Sequence, residues 1–173
     1  MDRIDRVLER LASALGRVAE LALLGLILVT LNEVAARYVF NRPQIWSYDV
    51  AYMLSGAMVM LGAAWALRAN AHVRIDVFAQ ALPARWQQGL QVIMYVFLFL
   101  PALGFATWAA WGRTSQAWRT GQLEQVSAWA PKVWPFYLII ALGLTALFVE
   151  CLAAVLRHLR GWRERRPVPG GGL

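Results

Sequence analysis

The sequence holds a single cysteine, Cys151, and two histidines, His72 and His158, in 173 residues. One thiol excludes an internal disulfide, a multi-cysteine metal site and a dithiol redox pair. Neither histidine falls in an apolar run, which speaks against a haem held by two histidines inside a bilayer. No cofactor and no metal site is therefore expected. Charge is also scarce: 16% of residues are Asp, Glu, Lys or Arg, where a soluble domain has about 25%. Lysine is nearly missing, with Lys132 alone beside 16 arginines.

What fills the chain instead is apolar. Hydrophobic residues make up 60% and the mean hydropathy is +0.48, which excludes both an ordinary soluble globule and a disordered chain. Four spans of about 20 residues would use roughly 80 residues and leave room for three loops and two short tails. A separate soluble catalytic domain does not fit. The net charge of +7 would suggest nucleic acid in a soluble protein. Here the basic residues flank apolar runs and face anionic membrane lipid, so no nucleic-acid partner is expected.

The expected fold class is an all-α membrane protein. It has four transmembrane helices, an amphipathic N-terminal interfacial helix and both termini cytoplasmic. Residues 1–14 carry Ile4, Val7, Leu8 and Leu11 at helical spacing opposite Arg3, Arg6 and Arg10, and can lie on a membrane surface. Asp2, Asp5 and Glu9 in that segment, and the lack of a small-residue site after Leu21–Leu31, argue against a cleaved signal peptide. The transmembrane domain, 15–156, divides into spans at about Leu15–Ala36, Tyr48–Leu67, Leu90–Trp111 and Val133–Leu156. Pro101 and Gly104 predict a kink in the third. Residues 157–173 read as a basic, disordered cytoplasmic tail.

Basic residues set the topology. The first segment, the loop after the second span and the tail hold 12 arginines, against five basic residues in the other connections. This places both termini in the cytoplasm of a multi-pass protein.

Acids in or near spans are candidates for function. Glu33 and Arg37 are four apart and can pair on one helix face. Asp49 opens the next helix at the same boundary, so Glu33, Arg37 and Asp49 are expected as a charge cluster that pins two helices. Glu20 follows Arg17 by three residues near the inner boundary, and Glu150 is within reach of Arg157 or solvent. None of the four is expected near a bilayer midplane. On the second span Ala51, Ser55, Gly62 and Ala66 fall within about 60° on a helical wheel. Such a small-residue face serves packing inside the chain or docking of a partner subunit. In the following loop His72, Arg74 and Asp76 alternate with Val73, Ile75 and Val77, which gives a polar and an apolar edge. A His–Asp pair can serve acid–base chemistry, but no nucleophile or oxyanion donor accompanies it and an enzyme is not expected. The outer connection, Gly112–Lys132, is a solvated connector or a surface for an external partner.

The stretch Gly62-Ala63-Ala64-Trp65-Ala66-Leu67-Arg68-Ala69-Asn70-Ala71-His72-Val73-Arg74-Ile75-Asp76-Val77-Phe78 resembles a family pattern, G-A-x-x-A-x-R-x-x-x-H-[IV]-x-[IV]-D. It belongs to the small membrane subunit (DctQ-like) of tripartite ATP-independent periplasmic (TRAP) transporters. Arg37-Tyr38-Val39-Phe40-Asn41, Trp46 with an acid at 49, and Trp134-Pro135 are also similar to that family. Asp49 departs from it, since Glu is more frequent there and reaches further. The likeness covers residues 15–156. It implies a scaffold subunit in the bacterial inner membrane, without enzymatic activity. Its partners would be a large membrane subunit, which imports organic acids with sodium, and a periplasmic solute-binding protein. The partner interface would then include Ala51, Ser55, Gly62, Ala66, Arg68, His72, Arg74 and Asp76. The alternative is a small autonomous four-helix transporter using Glu33 or Glu20.

Overall fold

The computed structural model describes residues 3–69 and 93–164. They form α1 (Arg3–Tyr38), α2 (Ser47–Arg68), α3 (Leu100–Thr120, preceded by a π-helical turn at Tyr95–Phe99) and α4 (Trp134–Glu164). Each holds a stretch long and apolar enough to cross a membrane: Arg6–Tyr38, Ser47–Arg68, Tyr95–Thr120 and Trp134–Leu156. The chain is the expected all-α, four-span membrane protein.

Element boundaries differ from the expectation in three places. The amphipathic N-terminal segment is not a separate element. It runs unbroken into the first span as one 36-residue helix, about 54 Å long, against roughly 30 Å of hydrocarbon. No proline interrupts it, and Gly16 sits under the Trp65 ring, where an added Cβ would lie 3.1 Å away. α3 continues to Thr120, so residues 112–120 of the expected outer loop are helical. Its polar residues are accommodated within the helix: Thr114, Ser115 and Thr120 donate to the carbonyls of Ala110, Gly112 and Gln116. The stop comes only at Gly121, at φ 61°, a left-handed conformation that suits glycine. α4 likewise extends through Glu164, eight residues into the expected tail.

Pro101 acts through the π-turn. Its ring offers no N–H and would press on the preceding turn of a regular helix. The Leu100 N–H donates to the Tyr95 carbonyl instead, five residues back, and Pro101 then occupies the first turn of the next α segment.

The helices pack in the order α1–α2–α4–α3, with α1 barely touching α4. α1 and α2 are antiparallel, since Gly16 meets Trp65, Ala19 meets Gly62 and Gly25 meets Leu54. α2 and α4 run parallel: Gly56 faces Phe136, Gly143 faces Met60 and Arg68 reaches Glu150. α3 returns antiparallel on α4, with a Trp118–Trp134 edge-to-face contact at 4.5 Å. The Trp111 indole also donates to Thr145 Oγ1 at 3.1 Å. The start of α1 and the end of α4 therefore lie at one end of the bundle, and residues 39–46 and 121–133 at the other.

Small residues line the seams. Ala12, Ala19, Ala22, Ala57, Ala64, Ala141 and Ala154 are buried, because lipid supplies no hydrophobic drive between helices and close backbone approach must supply contact. The closest approach to a neighbouring backbone is at Gly143, where an added Cβ would stand 2.7 Å from the Met60 carbonyl oxygen. Gly143→Ala must push α4 off α2 and is expected to destabilise by about 1–3 kcal/mol. Gly112 has nothing within 4 Å, and Gly112→Ala should gain up to about 1 kcal/mol of helix stability. Melting of the two variants in detergent measures both effects; equal melting temperatures would contradict the close approach at Gly143.

Candidate functional site

Polar side chains concentrate at the two ends of the bundle. At the end where α1 begins and α4 finishes, Arg68 closes the last turn of α2. Its Nη1 donates to Glu150 Oε1 at 3.1 Å and Oε2 at 3.4 Å, and its Nη2 lies 3.9 Å from Glu9 Oε2. The Glu150 side chain is 3% exposed and that of Arg68 18%. One guanidinium thus joins α1, α2 and α4. Glu150 is buried rather than turned to solvent, and it meets Arg68. The parallel run of α2 and α4 brings their later turns together, and a buried carboxylate requires a charged partner there.

At the other end Glu33 receives two bonds from Arg37, at 2.7 and 3.1 Å. Its second oxygen accepts the Gln44 backbone N–H at 3.1 Å. The Gln44 side chain then accepts from Asn32 at 2.9 Å and from buried Ser47 at 3.4 Å. This network ties the end of α1 to the start of α2 across a turn in which Asn41 takes a left-handed φ of 52°. Glu33 and Arg37 are brought together as expected, and Asp49 is not brought to them. Asp49 is buried in the first turn of α2 and accepts a hydrogen bond from Ser127. That contact anchors the 121–133 loop, whose strand-like bridge between Leu123 and Lys132 includes Glu124 N–H to Pro131 O at 2.9 Å. Beside it Tyr48, Tyr52, Glu124 and Val126 help line an open recess of about 380 Å³.

The small-residue face of α2 is engaged inside the chain in part. Gly62 lies against Ala19 of α1, with 3.6 Å from an added Cβ, and Ala51 shares a recess with Val29, Thr30 and Glu33 of α1. Ser55 and Ala66 are half-buried. Arg68, expected at a partner surface, is held by Glu150. His72, Arg74 and Asp76 lie outside the described residues.

Glu20 is placed deeper than its sequence context suggests. It follows Ala19, which meets Gly62, while the middle of α2 falls between Ala57 and Met58. Glu20 is therefore roughly 5 Å from the level of that midpoint, not at the boundary. It is exposed on the side of α1, where an uncovered acid costs about 2.5–3.5 kcal/mol on insertion scales. Among the described residues no group of three or more His, Cys, Asp or Glu is placed to hold a metal ion.

Sequence reasoning missed the Arg68–Glu150 pair, the Gln44 hub and the Asp49–Ser127 contact. The one available signal was parity: an even number of spans puts Arg68 and Glu150 at the same membrane boundary. Arg68→Ala and Glu150→Leu each break this buried pair and should cost about 3–5 kcal/mol. The double change Arg68→Met with Glu150→Leu should cost less than either alone. A double-mutant cycle of melting temperatures decides this, and strict additivity would show that the two groups do not interact.

Four matches to known proteins bear on this arrangement. Residues 26–161 match the family profile of the DctQ component of tripartite ATP-independent periplasmic transporters. The sialic acid TRAP transporter small permease protein SiaQ of Vibrio cholerae is 26% identical over 81 residues, 46% of this chain and 47% of its own length. The C4-dicarboxylate TRAP transporter small permease protein DctQ of the same organism is 27% identical over 95 residues, 53% and 41% of the two lengths. The sialic acid TRAP transporter permease protein SiaT of Haemophilus influenzae is 28% identical over 99 residues, 55% of this chain and 16% of that protein. The matched stretch thus spans less than half of each relative. The profile covers most of the chain and all four spans in whole or in part, and the chain belongs to the DctQ component family of tripartite ATP-independent periplasmic transporters.

Proposed function

We propose that the chain is the small scaffold subunit of a sodium-coupled, binding-protein-dependent transporter that imports organic acids, and that it braces the large permease subunit. The observation that carries this reading is the packing order α1–α2–α4–α3. Helices arranged so, with α1 and α3 apart, enclose no path for solute among the described residues. They offer broad lateral faces instead. The polar ties at both ends hold the helices to one another, which suits a static support. The match to a segment of the much longer SiaT permease protein supports a place beside a large permease.

In this reading the chain sits in the inner membrane with both termini in the cytoplasm, the side favoured by its arginines. The 121–133 loop then faces the periplasm, where a solute-binding protein delivers its cargo. His72, Arg74 and Asp76 are assigned to the cytoplasmic part of the partner surface, with Ala51, Ser55 and Ala66 on α2. Autonomous transport through Glu33 or Glu20 has less support. Glu33 is saturated by Arg37 and Gln44, and Glu20 points away from α2 rather than into a shared interior.

Reconstitution tests the proposal. Liposomes holding the chain alone should show no solute-dependent sodium current. Liposomes holding it with the large permease should take up solute when the binding protein is supplied. Current from the chain alone would overturn the scaffold role.

A further inference from the structure

We infer that the face of α1 bearing Arg17 and Glu20 docks against a transmembrane helix of the large permease subunit, one presenting a cationic or hydrogen-bond-donating group at the level of Glu20. This rests on the bracing role proposed above and names the surface that performs it.

α1 stands at the end of the packing order, so α2 covers one side of it and no other described helix covers the opposite side. The two sides differ in kind. Ala12, Gly16, Ala19 and Ala22 face inward and are buried. Arg17, Glu20, Leu24, Ile27, Leu31 and Val34 lie on the uncovered side, and all six are exposed. Their spacing is three, four, three, four, three, the repeat that keeps a seam on one facing helix.

Glu20 supplies the second argument. Its carboxylate makes no ion pair or hydrogen bond among the described residues. Arg17 lies one turn away with no ion pair to it within 4.0 Å among them. A Glu side chain near the middle of a span is too short to snorkel as Lys or Arg does. Hydrocarbon offers it no donor. Lipid phosphates lie at the membrane boundary and carry the same sign of charge. A second copy in parallel two-fold contact through this seam would bring Glu20 near its own mate, which repels. A helix of another subunit with a donor at that depth satisfies the carboxylate and fills the seam.

The test uses the complete chain co-expressed with the large permease. Benzoylphenylalanine is placed at Leu24, on the seam, or at Trp108, an exposed position on α3 at the far side of the packing order. Irradiation should cross-link the large permease from position 24 and not from 108. In parallel, Glu20→Lys should lower co-purified permease about tenfold through like-charge contact, Glu20→Asp should retain most of it, and the chain's own melting should not move. Cross-links to the permease from 108 but not 24, or only to a second copy or to lipid from 24, would overturn this docking face while leaving the bracing role intact. Full co-purification of Glu20→Lys would likewise overturn it. Loss of co-purification in the unmodified chain would overturn both.

Discussion

Helices in a bilayer receive no hydrophobic reward for meeting one another, because lipid tails are as apolar as leucine side chains. Everything that holds this chain together follows from how it answers that constraint. One answer is close approach. Gly143 lets α4 come against the Met60 backbone, and Gly56 lies beneath the Phe136 ring, with 2.7 Å from an added Cβ in each case. The other answer is polar contact where hydrocarbon gives way to headgroups. Arg68 binds Glu150 at one end, and the Glu33–Gln44 network and the Asp49–Ser127 contact hold the other. The middle of the α3–α4 seam adds the Trp111–Thr145 bond.

These two devices have a functional consequence. Ties at both ends of α2 resist tilting of one helix against the next, and tight backbone contact resists sliding. An assembly of this kind keeps its shape under lateral load. It also leaves much of its surface to lipid or to partners: Phe97 in the π-turn, and Phe105 and Trp108 on α3, are each more than 70% exposed. A transport path needs enclosure on several sides, and the order α1–α2–α4–α3 does not provide it among the described residues. Rigidity without enclosure is the combination that the proposed bracing role requires.

Much of this architecture was legible in the sequence, for reasons that are local. Four apolar runs of membrane length fixed the helices, and the Glu33–Arg37 pair followed from a spacing of four. Boundaries were less legible because helices do not end where polarity begins. Arg113 to Thr120 continue α3, since no glycine intervenes before Gly121. The Arg68–Glu150 pair spans 82 positions of sequence, and no periodicity encodes which turns of two non-consecutive helices meet. Asp49 was assigned to Glu33 by adjacency, yet it meets the loop before α4. Glu20 was misplaced because the apolar run begins just after it, which made it look like a boundary residue. Its depth is set by the register of Ala19 on Gly62, a tertiary fact.

The Arg68–Glu150 pair is better understood as a device for register than for stability. Bringing two charges into a low-dielectric site consumes much of what their attraction returns, so such a pair is weak evidence for net stabilisation. The seam it closes has fixed points of its own, Gly56 beneath the Phe136 ring and Gly143 against the Met60 backbone, and a slip of one turn, about 5.4 Å, would carry both glycines away from them. That slip would also draw the buried Glu150 carboxylate away from the Arg68 guanidinium. The cost of separating the pair falls on the misaligned state alone. The ion pair therefore reinforces the alignment of α2 on α4 that the two glycine contacts set. Glu9, reaching the same guanidinium at 3.9 Å, extends that reinforcement to α1.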